Sequence, residues 1–230
     1  MKIAILSDIH ANQFALTPVL DEVDKLGISK IIIAGDTVGY YYGLNEVLEL
    51  LNKYDVTMAR GNHEEMLLDL HNGILPISEV ISKFGSGLIK NYEELSKFDL
   101  NCLTSLQHPI SLNFNECKIL VSHGAPWQID EYLYPNSDPD RFQKLKEYDA
   151  NILVLGHTHH QMLRRFENQL VINPGSVGQN RSRPSYADWA VLDTLTFSVT
   201  FHSTHYDCEP LLELCKSYDS NNTNLIKGLK

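Results

Sequence analysis

The chain has 230 residues, 43% of them hydrophobic, and a formal net charge of -10 from 19 Lys and Arg against 29 Asp and Glu. That length suits one domain with a sizeable buried core, and the acidic balance argues against a surface built to hold a nucleic-acid backbone, so no stable nucleic-acid complex is expected. The opening MKIAILSDIH has too short an apolar run for a secretory signal, no later run reaches membrane-spanning length, and Cys102, Cys117, Cys208 and Cys215 lack metal-binding spacing, which together predict a cytoplasmic protein with reduced thiols and no membrane partner.

Lys2 to Ser7 reads as a buried strand, and Phe14 to Leu26 carries Phe14, Ala15, Leu16, Val19, Leu20, Val23 and Leu26 at helical spacing before Gly27 ends the helix. Ile31 to Ala34 is a second short strand, and a right-handed crossover brings Ser7 and Ala34 to the same edge of one parallel sheet. A helix about Glu46 to Leu51 and a strand at Val56 to Ala59 continue the pattern. Glu64 to Leu106 is mostly helical in pattern, interrupted at Gly73, Pro76 and Gly85-Ser86-Gly87, and is expected to form a small cap-like segment (about 64–106) within a single domain spanning 1–230. Strands follow at Lys118 to Ser122 and Ile152 to Leu155; between them Gly124 to Asp140, rich in Pro, Asp and aromatic residues, is expected to loop over the mouth of a site. Beyond His160, runs at Gln161 to Phe166, Gln169 to Ile172, Ala187 to Asp193 and Phe197 to Phe201 suit strands of a second, partly antiparallel sheet. Glu209 to Tyr218 reads as a last helix, whose Leu211, Leu212 and Leu214 either pack it or form a homo-oligomer seam, and the polar run Asp219 to Asn224 is expected to fray.

Five segments place metal-binding side chains just past the ends of hydrophobic runs: Asp8-Ile9-His10, Gly35-Asp36, Gly61-Asn62-His63-Glu64, Ser122-His123-Gly124 and Gly156-His157-Thr158-His159. Open α/β sheets place ligands at such strand ends. Asp8 and His10, two apart as the chain leaves a strand, can meet one cation. Asp36 comes to the same sheet edge, and two nearby carboxylates repel unless something positive lies between them. The donors divide into Asp8, His10 and His159 on one ion and Asn62, His123 and His157 on another, with Asp36 bridging. Mixed oxygen and nitrogen donors suit divalent Mn, Fe, Zn, Co or Ni, with Mn the first expectation. His63, adjacent to Asn62, points elsewhere and is the candidate for substrate contact or acid catalysis. The expected chemistry is attack of metal-bound hydroxide on the phosphorus of a small phosphate ester.

Taken in order, these five segments closely resemble the calcineurin-like metallophosphoesterase signature, over residues 3 to about 180. The SDIHAN, GDTVGY and NPGSVGQNR segments are similar to those of the small YfcE-like phosphodiesterase group. The resemblance implies an α/β fold, a four-layer α-β-β-α sandwich of two mixed sheets, with a dinuclear centre at the strand ends. It implies the ligand assignment above, with His157 beside Asn62 and His123, His159 beside Asp8 and His10, and His63 beside the scissile phosphate. In relatives the Asn173-Pro174-Gly175-Ser176 turn packs near the GHTH loop. Where relatives often carry a Gly-Pro arrangement after GDTVGY, this chain has Tyr41, Tyr42 and Gly43.

Phosphodiesterase is the first expectation, with phosphomonoesterase or nucleotide and dinucleoside polyphosphate hydrolase as alternatives, the latter suited by Tyr40, Tyr41, Tyr42, Trp127 and Tyr132 if they face the cleft. Arg181 and Arg183 either meet an anionic substrate or are solvated at the surface. A non-catalytic metal-containing binding module competes with these, but no expected ligand is missing and neither is His63.

Overall fold

The computed structural model describes residues 1–114, 116–222, 225–226 and 229. Two five-stranded mixed sheets lie face to face, with helices packed on their outer sides. The first sheet holds parallel strands β1 (Lys2–Leu6), β2 (Lys30–Ile33) and β3 (Asp55–Met58), connected through α1 (Gln13–Lys25) and α2 (Leu44–Leu51). Four consecutive helices follow: α3 (Asn62–His71), α4 (Ile77–Phe84), α5 (Gly87–Glu94) and α6 (Lys97–Thr104). The second sheet is built from β4 (Ile110–Phe114), β5 (Cys117–Val121), β6 (Ile152–Val154), β7 (Gln161–Arg165) and β8 (Leu170–Pro174), with a 3-10 helix at Pro139–Glu147 before β6. The chain then returns to the first sheet as β9 (Tyr186–Asp193) and β10 (Ser198–His205) and continues into α7 (Glu209–Tyr218).

Alternation along the strands builds the layers. Side chains two apart on a strand share a face, so Ile3, Ile5 and Ile32 point into the space between the sheets and meet Ile119, Val121, Ile152, Val154 and Ile172. Ala4, Leu6, Ile31 and Ile33 point the other way and bury Leu16, Val19 and Val23 of α1. Leu120, Leu153 and Val171 likewise cover Phe142 and Leu145 of the 3-10 segment. Each such fully buried aliphatic side chain contributes about 1.5–3 kcal/mol. Asn12 starts α1 by accepting the Ala15 N–H at 3.1 Å.

The strands after His160 do not form one second sheet of their own. β7 and β8 join β5 and β6, whereas β9 lies antiparallel to β1, pairing Ile3 with Leu192 and Ile5 with Ala190. Period-two hydrophobicity identifies a half-buried strand but says nothing of its neighbour. Of the run expected to fray, residues 223 and 224 lie outside the described residues, and Asp219 is pinned: its carboxylate accepts from the Tyr42 hydroxyl at 2.6 Å and the Ser86 hydroxyl at 2.8 Å. Leu211 and Leu212 are buried against Tyr41 and Tyr42. No helix among the described residues is long and apolar enough to cross a membrane.

Candidate metal centre

The loops leaving β1 and β2 run side by side beyond the sheet, joined by Asp8 N–H to Gly35 O (3.0 Å), His10 N–H to Asp36 O (2.9 Å) and Ala11 N–H to Thr37 O (2.8 Å). This extension requires backbone that β geometry does not provide. Asp8, His10, Asp36, His157 and His159 all have left-handed φ between 50° and 66°. Side chains in that region are strained, and such positions gather at functional sites. Gly35 is glycine for a second reason, because a Cβ there would fall 2.7 Å from both Gly61 Cα and His123 Nδ1. Gly156 likewise admits the Ser7 hydroxyl, which a Cβ would meet at 2.1 Å.

The structure brings every candidate ligand to one place. Asp8 Oδ1 lies 3.2 Å from His159 Nε2 and 3.8 Å from His10 Nε2, and the two imidazoles approach to 3.3 Å. Beside them, His123 Nε2 lies 3.0 Å from Asn62 Oδ1, 3.1 Å from His157 Nδ1 and 3.2 Å from Asp36 Oδ2. Asp36 joins the halves, its Oδ2 also standing 3.8 Å from His10 Nε2. Three groups of side chains, Asp8-His10-His159, His10-Asp36-His63 and Asp36-His123-His157, hold their ligand atoms within 4.8 Å. His63 is set back, with Nε2 4.0 Å from Asp36 Oδ2.

Backbone carbonyls select the ring nitrogen that faces inward. Nδ1 of His10, His123 and His159 meets Val38 O (3.1 Å), Ala34 O (2.8 Å) and Gln179 O (2.6 Å). A carbonyl can only accept, so the proton is assigned to Nδ1 and the Nε2 lone pair turns to the centre. His10 Nε2, His159 Nε2 and Asp8 Oδ1 then crowd together, their lone pairs facing one place. Such crowding is unfavourable unless a cation takes up the lone pairs, so the donor set fits a metal.

Charge distribution in the protein alone leads to the same conclusion. Burial opposes ionisation of Asp8, but His159 and His123 hold its carboxyl below the usual range; burial also opposes ionisation of Asp36, which His123 and His63 outweigh. Burial depresses His123, yet Asp36 and then Asp8 lift it to about 10. A proton on His123 thus occupies the place between the carboxylates that a divalent ion would fill. Burial lowers His10, lowers His157 to about 4, and lowers His63.

The profile of the Calcineurin-like phosphoesterase superfamily domain matches residues 1–196. The chain belongs to this superfamily. It is 29% identical to "Uncharacterized protein MJ0912" of Methanocaldococcus jannaschii over 229 residues, covering 92% of this chain and 90% of that one. The crystal structure of a metallophosphoesterase from Sphaerobacter thermophilus superposes with TM-score 0.80 at 24% identity, over 100% of this chain and 98% of that one. The hypothetical protein PH1004 from Pyrococcus horikoshii OT3 gives 0.84 at 22% identity, over 99% and 97%.

In this calcineurin-like chain the candidate ligands Asp36, Asn62, His157 and His159 and the adjacent His63 line a cavity of about 190 Å³, shared with Tyr40, Phe84, Asp130, Tyr132 and Arg181. The aromatic residues read from the sequence divide. Tyr40 packs edge-on against His10 with ring centres 4.6 Å apart and lies 4.8 Å from His63, while Tyr132 lies 4.0 Å from His157. Tyr41 and Tyr42 face the core around α7, and Trp127 stacks with Tyr148 on the outer side of the second sheet, so none of the three reaches the cleft. Arg181 lines the cavity, whereas Arg183 lies 3.5 Å over the Tyr186 ring. Asn173 does pack on the GHTH loop, donating to Gly156 O at 2.7 Å, and Ser176 donates to Asp8 O at 2.8 Å.

Sequence reading gave no role to two buried polar residues. Glu64 collects four backbone N–H groups, from Thr37 (2.7 Å) and Val38 (3.1 Å) on Oε1 and from Gly61 (2.7 Å) and Asp36 (2.9 Å) on Oε2. It thereby fastens the Asp36 loop to the start of α3, where Asp36 Oδ1 accepts the His63 N–H at 2.8 Å. Asn91 on α5 accepts from Gly39 N–H at 3.0 Å and donates to Tyr41 O at 3.1 Å, clamping the turn that carries Tyr40. Glu64 was visible as the last letter of the GNHE segment; Asn91 had no local signal, since a polar residue in a short helix reads as solvent-facing.

Proposed function

We propose that this chain is a dinuclear metal-dependent phosphoesterase that hydrolyses a small phosphate ester, with phosphodiesters preferred. The convergence of two donor sets on a shared Asp36, in a cavity that also holds His63, carries this reading. Asp8, His10 and His159 would hold one divalent transition-metal ion and Asn62, His123 and His157 the other, Mn being the first choice, with Asp36 between them. Bound there, the ions would polarise the phosphoryl oxygens and lower the pKa of the attacking water. His63, lowered by burial, is neutral at pH 7 and keeps an N–H to offer the departing oxygen. Asp8 and Asp36 stay ionised to balance the cations.

The SDIHAN and NPGSVGQNR segments support placement near the small YfcE-like phosphodiesterases. The test strips the protein of metal and titrates it with Mn, Ni, Co, Zn and Mg, assaying bis-p-nitrophenyl phosphate beside p-nitrophenyl phosphate. Restored diester hydrolysis at least about tenfold faster than monoester hydrolysis is expected. Preference for the monoester would overturn the substrate class, and failure of every metal to restore turnover would overturn the enzyme.

A further inference from the structure

We infer that Arg181 is a specificity-determining residue that binds a second phosphoryl group next to the scissile one, so that the preferred substrates are pyrophosphate-linked nucleotide esters. The inference rests on the phosphoesterase reading of the same site.

The guanidinium of Arg181 forms no ion pair with a carboxylate among the described residues, yet it lines the cavity that the candidate ligands share. Its charge is felt by the Tyr40 hydroxyl, which burial pushes up to about 12 against the pull of Arg181. The backbone that carries it is fixed to the centre. Ser176 Oγ donates to Asp8 O and accepts the Gln179 N–H at 2.8 Å, Gln179 O receives His159 Nδ1, and Asn180 Oδ1 accepts the Ser182 and Arg183 N–H groups, each at 2.9 Å. Arg181 lies between Asn180 and Ser182 in that turn, with its side chain exposed. Gly178 lets the loop lie on the Asp8 segment, because a Cβ there would fall 1.9 Å from Ile9 O.

A diester phosphoryl group has two non-bridging oxygens, which cations held by Asp8-His10-His159 and by Asn62-His123-His157 would take up, and a leaving oxygen, which His63 would meet. Arg181 is surplus to that group and lines the same cavity as Asp130 and Tyr132. Its fork matches the oxygens of a further phosphoryl group. The cavity, at about 190 Å³, is smaller than pockets that enclose a whole nucleotide-sized ligand. The organic part of the substrate therefore extends beyond the cavity.

The matched pair for the test is the p-nitrophenyl ester of TMP and that of TDP. In both, water oxygen bonds to phosphorus, the bond to the p-nitrophenyl oxygen breaks, the electron pair leaves as p-nitrophenolate and the water proton passes to solvent; only the TDP ester carries a second phosphoryl group. Wild type should favour the TDP ester, and Arg181→Gln should reduce the ratio of the two kcat/KM values by about 10- to 100-fold. Arg183→Gln, which removes the same charge from the same loop outside the cavity, should leave the ratio in place. A ratio unaltered by Arg181→Gln, or altered equally by both substitutions, overturns the inference while leaving the phosphoesterase reading standing. If metal-loaded wild type hydrolyses neither ester, the reading fails and the inference falls with it.

Discussion

Replacing Asn91 with leucine should separate catalysis from metal binding. Asn91 is 1% exposed, and its amide closes two backbone groups of the turn at Gly39 and Tyr41. Leucine fills nearly the same volume but leaves one N–H and one C=O buried without partners, at about 1–3 kcal/mol each, or about 2–6 kcal/mol together. That is a large part of the about 5–15 kcal/mol that holds a domain folded. Tyr40 sits in this turn at a φ of 50°, so the less demanding response is for the turn itself to open. His63 would feel that directly: its Nδ1 has no hydrogen-bond partner, and a Cβ on Gly39 would fall 2.1 Å from it, so contact with the turn, not a polar bond, holds the ring. Of the candidate metal ligands only His10 touches this turn, against the Tyr40 ring, and its Nδ1 stays on the carbonyl of Val38, whose N–H Glu64 holds. Urea unfolding of metal-free protein should report a loss of about 2–6 kcal/mol, calorimetric metal affinity should stay within about threefold, and turnover should fall by about tenfold or more. A stability loss below about 1 kcal/mol, or metal affinity falling in step with turnover, would refute this account.

His63→Ala should keep metal content near wild type and lower turnover by about 100-fold or more; loss of both ions by elemental analysis would make His63 a ligand instead. Asp36→Asn should weaken both cations together, and two tightly held ions per chain in that variant would rule out bridging. Metal uptake should be proton-linked. In metal-free protein His123 is charged below about 10, and a cation needs its neutral form, while Asp8 and Asp36 are already ionised. Affinity should therefore rise with pH, up to about tenfold per unit, with about one proton released per centre near pH 7. Calorimetry in buffers of different ionisation enthalpy measures that proton, and its absence would contradict the charge assigned to His123.

The seven proposed ligands were readable because each follows a hydrophobic strand and the sheet edge gathers strand ends; α7 runs from Glu209 to Tyr218, as its helical pattern predicts. Pairing partners were not readable. β9 returns to β1 from almost the far end of the chain, and nothing in Ala187 to Asp193 distinguishes one waiting strand edge from another. Direction was hidden too: Tyr40, Tyr41 and Tyr42 are alike in type, yet the first meets His63 and the other two meet α7, because the turn clamped by Asn91 splits them. β4 and the 3-10 helix escaped for want of a strong periodic signal.

The left-handed backbone at Asp8, His10, Asp36, His157 and His159 has an energetic consequence. At about 1–2 kcal/mol for each L side chain so placed, the five together set about 5–10 kcal/mol against the fold, a sum comparable with a whole domain's stability. Glycine at any of them would relax the chain while deleting a ligand. The backbone can therefore shed that strain at these five positions only by giving up the side chains that meet at the centre.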